Sequence, residues 1–330
     1  MWRCTGVMLM VLVSVTGCKP PPAAVPAGPP LPVTVGLGLE AVNGLALLAH
    51  RQGEFDRQGL AVTVSNYPSG KAALGALLRG EVAIATVAET PLVLASFQRS
   101  DLRVVAVVGE SDNEIKIVAR RDRGIAGPAD LRGKRIATQS VSSMHFFAYL
   151  YLLKQGLTEK EVRLSFAAPE ALPELLVRGE VDALSLREPL ISTVTERLGA
   201  NALVLPDRGL YVKSYCLVTT QRLLAEQPAV VTRLLQALLE TERQVRRQPE
   251  PAQEQLAATL GIAPVVIRRL WPDLDLRVRL PQSLLLSLED EARWAMGAKL
   301  VEAAGMPNYL HFVDVNPLAT LRAEAVTVIR

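Results

Sequence analysis

Two stretches of this chain carry nearly the same text. Arg79-Gly80-Glu81-Val82 is matched by Arg178-Gly179-Glu180-Val181. Each is followed by an apolar strand and then by Glu89-Thr90-Pro91-Leu92 or Glu188-Pro189-Leu190. The same order of strands and helices surrounds both copies. The chain therefore reads as two copies of one βα plan, which implies two mostly parallel sheets covered by helices.

In the first copy, strands are expected at Val33–Leu37, Ala61–Val64, Val82–Val87 and Leu102–Val108. Helices are expected at Gly44–His50, from Ser69-Gly70-Lys71 to Arg79-Gly80, and from Thr90-Pro91, where Pro takes the tolerated first position. The second copy has strands Ile136-Ala137, Val162–Phe166 and Val181–Leu186, with helices His145–Lys154, Pro169–Arg178 and one from Pro189. Ile115–Arg120 is read as a strand crossing between the lobes, and Tyr211–Thr219 as the return. Val230–Val245 and Leu284–Leu300 have helical apolar spacing and are expected to be plain core packing on the first lobe.

In parallel sheets, ligands bind beyond the C-terminal ends of the strands. The loops so placed are Leu39–Asn43, Tyr67–Gly70, Glu89-Thr90, Gln139–Ser143 and Arg187-Glu188. Gln139-Ser140-Val141-Ser142-Ser143 joins a strand to a helix that starts at Ser142 or Ser143, a good N-cap. The free N–H groups and the dipole of such a helix start favour an anion, although the serines could simply cap the helix.

Arg3 and the apolar run Gly6–Val15 form a leader too short to span a bilayer. Val15-Thr16-Gly17-Cys18 resembles the lipobox of bacterial lipoprotein signal peptides. This implies cleavage after residue 17 and a lipid on Cys18, anchoring an exported chain at the outer face of the cytoplasmic membrane or in the periplasm. With Cys4 removed and Cys18 acylated, Cys216 is a single thiol and no intrachain disulfide is expected. Residues 18–32 are rich in Pro and Ala and read as an extended tether of roughly 40 Å at most. A net charge of +3, with basic residues scattered among acidic ones, gives no sign of a nucleic-acid partner. Metal-ligand spacing is absent, since His50, His145 and His311 lie on separate elements, and neither a metal nor a cofactor is expected.

Gly53-Glu54-Phe55 with Gly59-Leu60, Ser69-Gly70 and Leu78-Arg79-Gly80-Glu81-Val82 resembles the first lobe of ABC-importer substrate-binding proteins. The branch is that of nitrate, sulfonate, taurine and thiamine-pyrimidine precursors. Gly124-Ile125, Asp130-Leu131-Arg132-Gly133-Lys134, Gly179-Glu180-Val181-Asp182-Ala183 and Glu188-Pro189 resemble its second lobe, and Val326-Thr327 is also similar. The resemblance implies an α/β, type II periplasmic-binding fold: two lobes, two crossing strands and a cleft that closes on a solute. Lobe one is expected over 33–118 and 213–330, and lobe two over 119–212. A monomer that delivers a small-molecule solute to an ABC permease is the implied function, with no enzyme activity.

Within the cleft, Ser142, Ser143, Ser69 and Gly70 could cap an anion, and Arg187 could clamp it or pair with Glu89 or Glu40. Glu40, Glu89 and Glu188 could hold an amine, and any of them could equally be a helix-start or surface charge. Tyr67 and Tyr211 could stack on a ring or cover the hinge. Asn43, Thr90, Gln139 and Ser140 lie on the same loops. His145, beside the elbow, is read first as a packing or hydrogen-bonding residue. The expected solute is a small anion or zwitterion of sulfonate, taurine or nitrate type. The alternatives are a pyrimidine-like heterocycle, an enzyme on the same scaffold, as in some menaquinone-pathway dehydratases, and a sensor for a membrane kinase.

Overall fold

A computed structural model describes Trp2 and residues 28–205, 207–302 and 305–329. Cys18, its lipobox and most of the tether lie outside the described residues. Ten strands are present among those described: β1 Leu31–Gly38, β2 Leu60–Tyr67, β3 Ile84–Ala88, β4 Leu102–Ser111, β5 Ile115–Arg120, β6 Arg135–Thr138, β7 Arg163–Phe166, β8 Ala183–Arg187, β9 Ala202–Leu205 and β10 Lys213–Thr220. They form two five-stranded sheets, ordered β2-β1-β3-β10-β4 and β7-β6-β8-β5-β9. The two orders correspond strand for strand. In each sheet the first strand of the copy pairs in parallel with the next two. An antiparallel strand then follows, β10 in the first sheet and β5 in the second.

The repeated text has a physical reason. Gly80 and Gly179 both end a helix in the left-handed region, with φ of 76° and 72°. Glu81 N–H donates to Ala76 O and Gly80 N–H to Leu77 O; Glu180 N–H donates to Leu175 O and Gly179 N–H to Leu176 O. These paired bonds close the helix end and satisfy its last carbonyls, and the left-handed residue they require is best supplied by Gly. Val82 and Val181 then lead into fully buried β3 and β8.

The two strands expected to cross between lobes do not cross. β5 lies wholly in the second sheet and β10 wholly in the first. Their backbone groups are taken up by neighbours on both sides: β10 pairs with β3 and β4, β5 with β8 and β9. The crossings are the short segments around 112–114 and 207–212. β1 also begins two residues before Val33, within the expected tether.

Each sheet has its own apolar core. The helix Pro228–Arg247 packs on the first with Val230, Leu234, Leu238 and Val245. The helix Gln282–Gly297 covers most of Leu284–Leu300, the stretch read as core packing on the first lobe. It places Leu284, Leu285, Leu288 and Ala292 there, but Trp294 and Ala295 reach the second core. Its C-terminal turns thus bridge the two sheets beside the crossings. Among the described residues no helix is long and apolar enough to cross a membrane.

Candidate functional site

The end of β8 meets the ends of β1 and β2 through one buried charge cluster. Glu40, just past β1, is its centre. Its Oε1 accepts hydrogen bonds from Gly70 N–H (3.0 Å) and the Tyr215 hydroxyl (3.2 Å). Its Oε2 accepts from Lys213 Nζ (2.6 Å) and lies 3.6 Å from Arg187 Nε. Gly70 is the first residue of the helix Gly70–Leu78, capped by the Ser69 hydroxyl. A carboxylate of the chain itself therefore sits at a helix start, where an anion is favoured. Burial opposes its ionisation, but Arg187 and Lys213 outweigh burial and hold the carboxyl at about 2.

Lys213 also donates to Glu114 (2.7 Å), so two cations and two carboxylates are balanced in a nearly water-free setting. Burial lowers the Lys213 and Arg187 pKa values, yet the neighbouring carboxylates raise both above their usual ranges. Arg187 ends β8 on the second sheet and reaches the first, donating to Pro68 O (3.2 Å) as well as to Glu188 O (3.3 Å). It pairs with Glu40 rather than Glu89. Lys71 Nζ makes a further bridge to Ser140 O (3.0 Å).

The serine elbow has the expected cap. Ser142 is extended, accepts His145 N–H on its hydroxyl, and donates to Gln139 O (2.7 Å). Ser143 opens the helix Ser143–Lys154. Val141, at φ 56°, takes the left-handed turn that aims the elbow. His145 is buried in packing: Val141 N–H donates to Nδ1 (3.4 Å), Glu159 lies 3.1 Å from Nε2, and Phe166 and Trp294 meet the ring edge to face.

A second buried group surrounds Glu89, at the start of the helix Glu89–Ser96. Its carboxyl accepts from the Tyr211 hydroxyl (2.5 Å) and Ser214 N–H (3.0 Å), both on the returning segment. Burial pushes Glu89 up to about 7 despite these bonds. Glu291 on the helix Gln282–Gly297 is pushed well above the carboxylate range by burial and by Glu89. Glu291 approaches both the Thr90 hydroxyl and the Glu89 carboxyl.

The structure thus joins Glu40, Ser69, Gly70 and Arg187 in one network, with Ser140 bridged to it by Lys71. Tyr211 holds Glu89. Glu188 accepts from Ser192 N–H (3.0 Å) and its hydroxyl (2.8 Å), serving the helix Leu190–Leu198. Asn43 donates to Gly38 O and Thr86 Oγ1, fixing the β1 exit. Tyr67 lies half-buried at the end of β2, its ring against Gly36. Sequence reasoning missed Lys213, Glu114 and Tyr215. The signal was present: Glu114 and Lys213 are charges at the edges of two strongly apolar strands, one beside each crossing.

Two α/β sheets on separate cores, with strand-end loops meeting between them, define the periplasmic-binding-protein fold. The alkanesulfonate-binding protein SsuA of Xanthomonas axonopodis pv. citri, solved with MOPS, superposes with a TM-score of 0.73 at 21% identity, covering 92% of this chain and all of that one. The periplasmic aliphatic sulphonate binding protein SsuA of Escherichia coli gives 0.74 at 20% identity, over 86% of this chain and 92% of that one. The NMT1/THI5-like family profile matches residues 44–252, and the chain belongs to that family. The taurine-binding periplasmic protein of Escherichia coli is 26% identical over 136 residues, 41% of this chain and 42% of that protein. The chain aligns with 42% to 63% of the length of the curated relatives it matches.

Proposed function

We propose that this chain is the extracytoplasmic solute-binding component of an ABC importer. It would take a small sulfonate-like anion or zwitterion between its lobes and deliver it to a membrane permease. The observation that carries this reading is the Arg187–Glu40 contact, one charge from each sheet, beside the helix start at Gly70. Parting the lobes would break this contact and the Arg187–Pro68 bond. It would leave a guanidinium on one side and a carboxylate on the other, the pair that an aminosulfonate zwitterion matches. The Ser143 hydroxyl and the backbone N–H groups of Ser142 and Ser143 would add donors to the anionic end, the Ser142 hydroxyl being committed to Gln139 O. The sulfonates and taurine named for relatives support this class of solute.

Calorimetric titration with taurine, propanesulfonate and ethanolamine tests the reading. Saturable one-to-one binding is expected, tightest for taurine because only it engages both charges. No binding of either sulfonate would contradict the reading. We further infer that Cys18 carries the lipid that holds the chain at the membrane. Cys18→Ser should release it into the aqueous phase of a detergent partition or block its processing. A processed variant that partitions like the parent would remove the lipoprotein reading.

A further inference from the structure

We propose that a second small-molecule site lies beside the hinge and takes a flat aromatic molecule with an uncharged hydrogen-bonding head. A cavity of about 1080 Å³ opens between the helix Ser143–Lys154, the helix Gln282–Gly297 and the returning segment Gly209–Ser214. That volume suits a small organic ligand. Of the residues read as solute contacts, only Tyr211 lines it, so it is separate from the Glu40–Arg187 cluster.

The spacing of the wall residues shows why the helices leave this space. Phe146, Tyr149, Leu150 and Leu153 recur at three and four residues and share one face of the first helix. Ser283, Ser287, Asp290, Trp294 and Gly297 do the same on the second, small and polar at one end and aromatic at the other. Four rings gather at the apolar end. Phe146 lies 5.2 Å from Trp294 and 5.5 Å from Tyr211, and Tyr149 lies 6.1 Å from Trp294, between centroids. Phe146, Trp294 and Tyr211 are buried in this cluster, and the half-buried Tyr149 is the ring left to meet another ring in offset or edge contact. Leu153 and Val212 on the same walls are 53% and 44% exposed, apolar surface that a ligand would cover.

The polar end sets the head group. Ser214 Oγ donates to Glu110 (2.8 Å), and Arg279 closes on Glu110. Arg293 pairs with Asp290 at 2.5 Å. The charged lining residues are three cations, Arg279, Arg293 and Lys160, and three carboxylates, Glu110, Glu159 and Asp290. Such a lining offers a charged head no net attraction, whereas Ser283 and Ser287 offer hydroxyls to a neutral one.

Calorimetry with naphthol, a neutral fused ring bearing one hydroxyl, tests the site on the full chain. A Cβ added at Gly297 would meet nothing within 4 Å, so Gly297→Phe sends its ring into open space. The parent should bind naphthol saturably, one to one. Gly297→Phe should weaken naphthol at least tenfold and leave taurine within twofold. Tyr149→Ser, which removes one wall, should also weaken naphthol at least fivefold. Absence of saturable naphthol binding to the parent would overturn the proposal. So would parent-like naphthol affinity in both variants. The naphthol measurements do not require that taurine bind, so this site and the solute cleft can fail separately.

Discussion

At the residue scale, the buried carboxyls divide into two kinds. Glu40 is paired with two cations and stays ionised, while Glu89 faces Tyr211, Ser214 and Glu291 and keeps its proton up to about 7. A carboxyl whose pKa is raised on folding binds its proton more tightly in the folded state. Its contribution to stability is full below the unfolded value, near 4.5, and is lost as pH rises through about 7. A shift of that size corresponds to about 3 kcal/mol. The shift at Glu291 has the same sign. Glu40 acts oppositely and only in strong acid, losing its contribution as pH falls from near 4.5 through about 2. Denaturant unfolding should therefore show the parent less stable at pH 7 than at pH 5. Glu89→Gln should remove much of that difference; an unchanged difference would assign it to other groups.

At the element scale, much was legible. The repeated Arg-Gly-Glu-Val text locates two helix ends because the left-handed residue and its bond pattern are local chemistry. Ser142 was legible as a cap for the same reason. Gly80→Ala would place a side chain at φ 76° with open space around it, so the cost is backbone strain alone. A loss of about 1 kcal/mol is expected by denaturant unfolding. A neutral result would mean that the end relaxes to another cap. The path of the crossings was not legible. Apolar patterning marks β5 and β10 as buried strands, but which sheet takes each one is decided by neighbours far away in the chain. Lys213 and Glu114 escaped notice for a related reason: their partners are each other and Glu40, brought together only when both crossings are in place.

At the scale of the whole molecule, two sheets with separate cores are joined by two short crossings, a bridging helix and a small set of polar contacts between strand-end loops. Ligand should shift such a pair of lobes between open and closed states, because contacts made only on closure favour the closed one. Arg187 lies at the centre of this account, buried at 5% exposure and reaching from β8 to Glu40 and Pro68. The direct test is taurine titration of the parent and of Arg187→Ala, with circular dichroism confirming that the variant is folded. Losing a charge-assisted hydrogen bond in a closed cleft costs on the order of 1.5–3 kcal/mol, so taurine should bind the variant ~10 to 100 times more weakly. Parent-like affinity in the folded variant would make Arg187 a structural ion pair and contradict the claim that the solute is held there.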